Sequence, residues 1–402
     1  MSNTFIIYGT GRMGRSVAIH LAKHETGHIR LVDMNKKSLD NLEKELISFG
    51  TKTTIDTVLI PVPVLGTHPL KLHNRQPYDV VVCIATAGYQ IYPELTKQCI
   101  DNGIHMIDLG GNRDVVLKQK LLDHDAKHEG VTHIPDCGLA PGMINILGMH
   151  TFNILNEKGC TDIDVNMKVG GLPFNPGTMD ENPWQYTLTW SADGLINEYD
   201  IEADELRDGK HIKLRPLSEC EDFKLRTPWS GKNKFEAFIT GGGSSNLPEL
   251  LCGKARNVSY KTIRYRGHNN ITKTLRKLGL FDNSYSDFMS NRTLLRSLLE
   301  HNFKSQTSDD IVIATVTASG TDQNTQQRLS TTISVFCRYD QKLNLSAMAQ
   351  TTGFSAAILA QMIMDSSISS EGVLDGETAV PAEEFILRLR LAGIKVTISS
   401  TF

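Results

Sequence analysis

The chain has 402 residues, 40% of them hydrophobic and 22% charged, and its 45 acidic and 42 basic side chains leave a formal charge of −3. This is the make-up of a folded globular chain of two or three domains, and its charge gives no electrostatic reason to expect nucleic acid or an anionic membrane as partner. No stretch approaches the roughly 20 apolar residues that span a bilayer, the N-terminus has no basic, cleavable leader, and the seven cysteines are scattered without a C-x-x-C. A cytoplasmic protein with reduced thiols and no disulfide framework is the expectation.

In the first third, uninterrupted Val- and Ile-rich runs at 5–9, 29–33, 79–85, 104–110 and 132–138 alternate with helical patterns. Such runs suit strands buried on both faces of a parallel sheet. Met13, Val17, Ala18 and Leu21 fall on one face of a helix between the first two runs. Pro93 and Gly103 bound another helix. Strand–helix–strand repetition with right-handed crossovers predicts a doubly wound α/β Rossmann sheet. From about 141 the texture changes to shorter β-type runs (DIDVNMKVGG, FEAFITGGG, SYKTIRYRG) and an alternating hairpin pattern over 311–337, which predicts a mixed or antiparallel α+β domain. Residues 346–366 form a helix apolar nearly all round, expected to be buried between layers.

Gly9-Thr10-Gly11-Arg12-Met13-Gly14 is a G-x-G-x-x-G that follows one predicted strand and opens a helix, and Asp33 ends the next strand, 19 residues after Gly14. Each part has a physical task. Gly9 permits the tight turn, Gly11 lets the backbone approach a pyrophosphate, and Gly14 lets helix and strand pack closely. The helix N-terminus offers N–H groups and positive dipole to the phosphates. Asp33 accepts from ribose hydroxyls and repels a 2′-phosphate, which favours NAD; Lys36 and Lys37 just beyond it leave NADP open. Three further strands end in Ala85-Thr86-Ala87-Gly88-Tyr89, Asp108-Leu109-Gly110-Gly111-Asn112 and Asp136-Cys137-Gly138. Ligands of such sheets bind outside the carboxyl ends of the strands, so Ala85, Thr86, Ala87, Asp108 and Gly110 join the expected cofactor set. An Asp at a strand end equally serves as a cap for the following helix.

The blocks IDLGGN, IPDCGLAPGMINILG, VGGLPFNP, WSADGLINEY, FEAFITGGGSSNL and YKTIRYRGH, closed by AMAQTTGFSAAILAQMI and GVLDGETAVPAEEF, resemble the saccharopine dehydrogenase family in that family's own order. Within it the chain looks closer to the bacterial lysine 6-dehydrogenase type, on Asp-Leu-Gly-Gly and Glu-Ala-Phe; Arg266 stands where many relatives carry proline. The resemblance implies a dinucleotide-binding domain of residues 1–140 plus 346–402, completed by a C-terminal helix. Residues 141–345 are then an inserted substrate and dimerisation domain, in a homodimer or higher homo-oligomer. It further implies hydride transfer from an amine-bearing carbon of a small amino acid to NAD(P), leaving an imine for hydrolysis.

That chemistry needs a base for the substrate ammonium and a cation for its carboxylate. Asp108, Asp136 and His268 are the candidate bases, and Arg264 is the candidate carboxylate partner. Tyr89, Asn112, Tyr186, Trp190 and Glu236 are expected to line the pocket. The basic stretch from Lys261 to Lys277 reads as a solvated face plus one carboxylate-binding arginine. His20, His24 and His28 lack an acidic or cysteine complement, so no metal is expected. L-Lysine 6-dehydrogenase is the first expectation, with saccharopine dehydrogenase and a carboxynorspermidine-type reductase as alternatives. A dinucleotide-binding module without catalysis is the reading from another class.

Overall fold

The computed structural model describes residues 3–25, 27–60, 70, 79–178, 181–224, 234–284, 289–303 and 309–402. It divides into two compact units, Met1–Ile146 with Ala349–Ile394, and Leu147–Met348 with Lys395–Phe402. The strands are β1 (Thr4–Tyr8), β2 (His28–Asp33), β3 (Thr54–Leu59), β4 (Val81–Ala85), β5 (His105–Asp108), β6 (Thr132–Ile134), β7 (Cys160–Pro173) and β8 (Ala203–Arg207). After these come β9 (Lys210–Leu214), β10 (Glu221–Phe223), β11 (Phe235–Ile239), β12 (Asn257–Tyr265), β13 (Asp310–Asp322), β14 (Arg328–Arg338), β15 (Gly372–Val373) and β16 (Lys395–Ser400). No helix among the described residues is long and apolar enough to cross a membrane.

In the first unit the strand order is β15-β6-β5-β4-β1-β2-β3, with every neighbouring pair parallel. Strands β1 and β4 are buried along their whole length, as their unbroken apolar runs require. The sheet is the doubly wound order 3-2-1-4-5-6 with β15 added at one edge, and its direction of winding reverses between β1 and β4. Sheets wound in this way bind their ligands at such a switch point, outside the carboxyl ends of the strands.

Two of these strands have no counterpart in the sequence reading. β3 is an edge strand of half-exposed, mixed polarity, held to β2 by Arg30, whose Nη2 donates to Asp56 at 2.7 Å. β15 is only two residues long, below the length at which any periodicity registers. Helix Ala347–Met364 enters this unit from Ala349 and packs on helix Arg12–His24. A Cβ on Gly353 would lie 2.7 Å from the Ser16 side chain, so glycine is what permits the contact. His20, in the same interface, meets Gln361 Oε1 at 3.1 Å, and burial holds its pKa down at about 3, so it packs as a neutral ring.

The second unit is a mixed sheet in the order β10-β11-β12-β7-β13-β14-β16, with β8 on β12 and β9 on β8. Only the β12–β7 pair is parallel. The 311–337 pattern is the β13–β14 hairpin, in register from Ile311 opposite Arg338 to Thr321 opposite Arg328. Residues 395–402, which the sequence reading left with the dinucleotide-binding domain, belong here instead. β16 pairs with β14 from Phe336 opposite Lys395 to Thr331 opposite Ser400, a contact too distant in sequence for local pattern to reveal. Asp310 at the start of β13 caps helix Ala347–Met364, accepting from Ala347 N at 2.6 Å and Met348 N at 3.0 Å.

Glu205 on β8 lies wholly inside this unit, accepting from Tyr260 N at 2.9 Å and facing Arg207 Nη2 at 2.7 Å. Desolvation outweighs both partners and pushes its pKa from 4.5 up to about 7. Its folded-state pKa is therefore the higher one, so folding takes up a proton. The stability it contributes is complete below about pH 4.5 and is lost as pH rises through 7, a swing of up to about 3 kcal/mol. Glu205→Gln should accordingly match the parent at pH 4.5 and gain on it steadily to pH 7.5. Urea unfolding across that range is the measurement, and parallel stability curves would contradict the assignment.

Candidate active site

In the first unit the glycine turn has the geometry its spacing requires. Gly9 has φ +104°, and a Cβ there would sit 2.9 Å from Ala87 N. A Cβ on Gly14 would lie 1.8 Å from the Gly9 carbonyl oxygen, so helix and strand touch backbone to backbone. Gly11 differs: it is the N-cap of helix Arg12–His24, no side chain caps that helix, and the space beside it is open. Exposed Arg12 and half-buried Met13 form the first turn.

Asp33 is fixed by its neighbours, with Oδ2 accepting from Thr10 N at 2.6 Å and Thr10 Oγ1 at 2.8 Å, and Oδ1 accepting from Asn35 N at 2.8 Å. A carboxylate has about four acceptor positions, so capacity for a ribose hydroxyl remains. Exposed Lys36 is turned to Asp40 at 3.2 Å. At the end of β4, Ala85 is buried, Thr86 Oγ1 donates to Gly9 O at 2.6 Å, and Ala87 N donates to Tyr8 O at 3.1 Å. Tyr92, which the sequence reading did not single out, ties this end down by donating to Ala87 O at 2.8 Å. An open glycine, an uncapped helix start and an oriented carboxylate are the donors and acceptors that a dinucleotide needs, so these residues fit the group.

The strand-end acids divide sharply. Asp108 has no exposed surface. Its Oδ1 accepts from Gly110 N at 2.7 Å and Asp136 N at 3.3 Å, and its Oδ2 from Gln119 Nε2 at 2.7 Å. It therefore organises the ends of β5 and β6 from within, and the expectation that it acts on substrate or cofactor finds no accessible oxygen. Asp136 is half-exposed, in the left-handed region at φ +59°, and accepts from Gly111 N at 3.2 Å. Its Oδ1 takes the space beside Gly110, where a Cβ would come within 1.7 Å. Asn112 is the N-cap of helix Arg113–Lys120, accepting from Asp114 N and Val115 N, and half-buried Tyr89 begins a single 3-10 turn.

The second unit gathers Arg264, His268, Tyr186 and Trp190 around residues the sequence reading missed. Arg264 is 3% exposed. Its Nε donates to Tyr199 OH at 2.9 Å, its Nη2 meets Glu198 Oε2 at 3.1 Å, and its Nη1 donates to Ile263 O at 3.0 Å. The guanidinium also lies over the Tyr186 ring, 5.0 Å from the centroid. Trp190 Nε1 donates to Tyr186 OH at 2.9 Å, and Thr262 donates to the other oxygen of Glu198.

His268 Nδ1 is 3.1 Å from the Trp184 carbonyl and Nε2 is 2.9 Å from Tyr199 OH. A carbonyl only accepts, so Nδ1 carries the proton. Burial and the charge of Arg264 hold the His268 pKa well below its usual value, so the ring is neutral and Nε2 receives the Tyr199 proton. Arg264, Tyr199 and His268 thus form one directed chain of hydrogen bonds. Glu236 stands opposite Arg264 in the β11–β12 register, yet its carboxylate caps helix His268–Lys277 through Gly267 N at 3.0 Å and Asn269 N at 2.7 Å. Glu198 and Tyr199 close the WSADGLINEY block, and the signal that was present is the buried set Leu195, Ile196 and Tyr199 on one helix face.

With this geometry in hand, the comparisons with known proteins are specific. The Saccharopine dehydrogenase C-terminal domain family matches residues 138–394. Mitochondrial alpha-aminoadipic semialdehyde synthase of Rattus norvegicus is 24% identical over 279 residues, 69% of this chain and 28% of that protein. Saccharopine dehydrogenase [NADP(+), L-glutamate-forming] of Pyricularia oryzae is 22% identical over 252 residues, 62% of this chain and 54% of that enzyme. The match thus spans about a quarter to a half of the length of these relatives. Apo saccharopine dehydrogenase (L-Glu forming) from Saccharomyces cerevisiae has the same fold, with a TM-score of 0.77 over the whole of both chains at 16% identity. A match through more than half of the sequence, on a fold shared from end to end, means that the chain belongs to the saccharopine dehydrogenase family.

Proposed function

We propose that this protein is an NAD(P)-dependent dehydrogenase of an amine-bearing carbon, with L-lysine oxidised at its ε-carbon as the first substrate. The observation that carries the choice of substrate is the pairing of Arg264 with Glu198. Saccharopine brings three carboxylates and calls for two or more converging cations, whereas lysine brings one carboxylate and a second ammonium. Among the described residues, the arginine expected to clamp a carboxylate is already neutralised from within, which favours the substrate with fewer negative groups. Saccharopine is the second reading, supported by the fungal relatives, which are saccharopine dehydrogenases.

The residues that would hold the dinucleotide are Gly9 to Gly14 at the pyrophosphate and Asp33 at the ribose. When bound, NAD(P)⁺ supplies the hydride acceptor. The substrate ammonium must first lose a proton, because only the neutral nitrogen has a lone pair to drive hydride from carbon. In this reading Asp136 accepts that proton, and its charge then offsets the iminium that develops. In the second unit the hydrogen-bonded chain from Arg264 through Tyr199 to His268 packs against the Tyr186 ring, whose hydroxyl accepts from Trp190 Nε1.

Absorbance of the reduced cofactor, with L-lysine and saccharopine each tested against NAD⁺ and NADP⁺ at mildly alkaline pH, separates the two readings. Reduction with saccharopine alone overturns the lysine assignment, and reduction with neither overturns the substrate class. Asp33 adds an independent prediction. Asp33→Asn removes the charge that would repel a 2′-phosphate, so the preference for NAD⁺ over NADP⁺ should fall by about 10–100-fold, or about 1.4–2.8 kcal/mol. Fluorescence titration with the two reduced cofactors reads that ratio, and an unchanged ratio would mean that Asp33 does not sense the ribose.

A further inference from the structure

Glu377 is a buried acid that the reading above leaves without a role. It lies on the short helix Gly376–Ala379, directly after β15. β15 runs parallel to β6, with Gly372 opposite Thr132 and Val373 opposite His133, and Leu374 N continues the pairing by donating to His133 O at 2.8 Å. The chain therefore leaves both strands on the same side of the sheet. Asp136, two residues past β6, and Glu377, four past β15, emerge together on the carboxyl side, where open α/β sheets bind ligands. Their charges act on each other, and Cys137 senses both.

The two acids differ in their surroundings. Glu377 is 8% exposed, its Oε1 has no hydrogen-bond partner, and the one stabilising backbone bond is to its own N–H. Lys120, the cation that reaches it, is committed to an ion pair with Asp375. Asp136 reaches a surface and is held by Gly111 N. Ionising the buried, orphaned partner costs far more than ionising the half-exposed one.

We propose that Asp136 and Glu377 work as one carboxyl pair, in which Glu377 keeps a proton, Asp136 keeps the charge, and Glu377 thereby sets the basicity of Asp136 toward the substrate nitrogen. Glu377 is a positioning residue, since it acts only through Asp136. The catalytic half of the idea rests on the amine dehydrogenase reading, and the pairing itself does not. In the oxidation, one proton passes from the substrate ammonium to the Asp136 carboxylate, and the hydride, with its electron pair, goes to NAD(P)⁺. Below neutrality the pair rises from one proton to two and returns one to solvent, while the Glu377 proton stays in place; above neutrality, with Glu377 ionised, it rises from none to one.

Burial, reinforced by the charges of Asp375 and Asp136, pushes Glu377 up to about 7. The groups facing it are Asp375 on its own segment, Asp136 and Cys137 after β6, and Lys120 from helix Arg113–Lys120. Above neutrality the pair carries two charges, and each raises the proton affinity of the other.

The test is infrared difference spectroscopy of the full chain between pH 5 and 9, following the C=O stretch of protonated carboxyl groups. The parent should show a band titrating near pH 7 that is missing in Glu377→Gln. Asp136→Asn should lower its midpoint by about one pH unit, because a neighbouring charge is gone. Asparagine is at ease at the left-handed φ of position 136, so that variant keeps the backbone even if the first were to fold poorly. A midpoint that stays put in Asp136→Asn, or a band that survives Glu377→Gln, overturns the pair. The pH profile of kcat/KM then decides the tuning role. Glu377→Gln should lose one ionisation near pH 7, and an identical profile overturns that role. Should the parent turn over neither lysine nor saccharopine, the substrate reading fails while the infrared result still decides the pair.

Discussion

Arg264→Met is expected to destabilise the second unit by about 3–5 kcal/mol, enough to leave a marginal domain largely unfolded. The reason lies in what remains behind. Glu198 would lose the guanidinium that, among the described residues, is its one cationic partner at hydrogen-bond distance, and Tyr199 would lose the donor that orients its hydroxyl. Arg264→Lys restores charge but not the fork, since one ammonium cannot serve Tyr199 OH, Glu198 Oε2 and Ile263 O from the position of a planar guanidinium. It should recover only part of the loss. Glu198→Met alone strands the cation instead, so each single change is costly. The double variant Arg264→Met with Glu198→Met should lose much less than the sum of the two, the signature of a buried pair. Urea unfolding of the four proteins measures the cycle. Additive losses would show that the two side chains are not coupled.

That network also marks the limit of what the residue string discloses. Gly9 and Gly14 were legible because their constraint is local: a strand, a turn and a helix start within one βαβ unit dictate glycine there for steric reasons, and Asp33 ends the next strand at the spacing expected of a ribose partner. Arg264 and His268 stood out by motif, but their partners Glu198 and Tyr199 lie some 65 residues upstream, and only the fold brings them together. Asp108 illustrates the opposite error. A strand-end acid in a dinucleotide fold looks functional, yet Asp108 is wholly buried and serves two backbone N–H groups and Gln119, and the same sequence pattern suits both purposes. Glu236 serves as a helix cap supplied from a neighbouring strand, a role that no sequence spacing betrays. β3 and β16 escaped notice as edge or late strands whose half-exposed residues lack the unbroken apolar run of β1 and β4.

The glycine turn offers the second large effect, and it turns on a contrast between two residues three positions apart. Gly14→Ala places a methyl group 1.8 Å from the Gly9 carbonyl oxygen and 2.9 Å from its carbon, both backbone atoms that have no rotamer with which to yield. Helix Arg12–His24 must therefore move off β1, at about 1–3 kcal/mol or more in stability, and its N-terminus moves with it. Dinucleotide affinity should fall by about 100-fold, which corresponds to about 2.8 kcal/mol. Gly11→Ala meets nothing within 4 Å in the protein, and its φ of −66° is one that alanine adopts freely. Its stability should stay within about 0.5 kcal/mol of the parent, so any affinity it loses arises from collision of the new methyl group with the ligand alone. NADH fluorescence titration together with urea unfolding of both variants separates the two outcomes. Loss of binding in both, with loss of stability only in Gly14→Ala, places the pyrophosphate against Gly11. Full binding by Gly11→Ala would instead move the phosphate path away from the open face of this turn, and would reassign the role of the glycine most exposed in the motif.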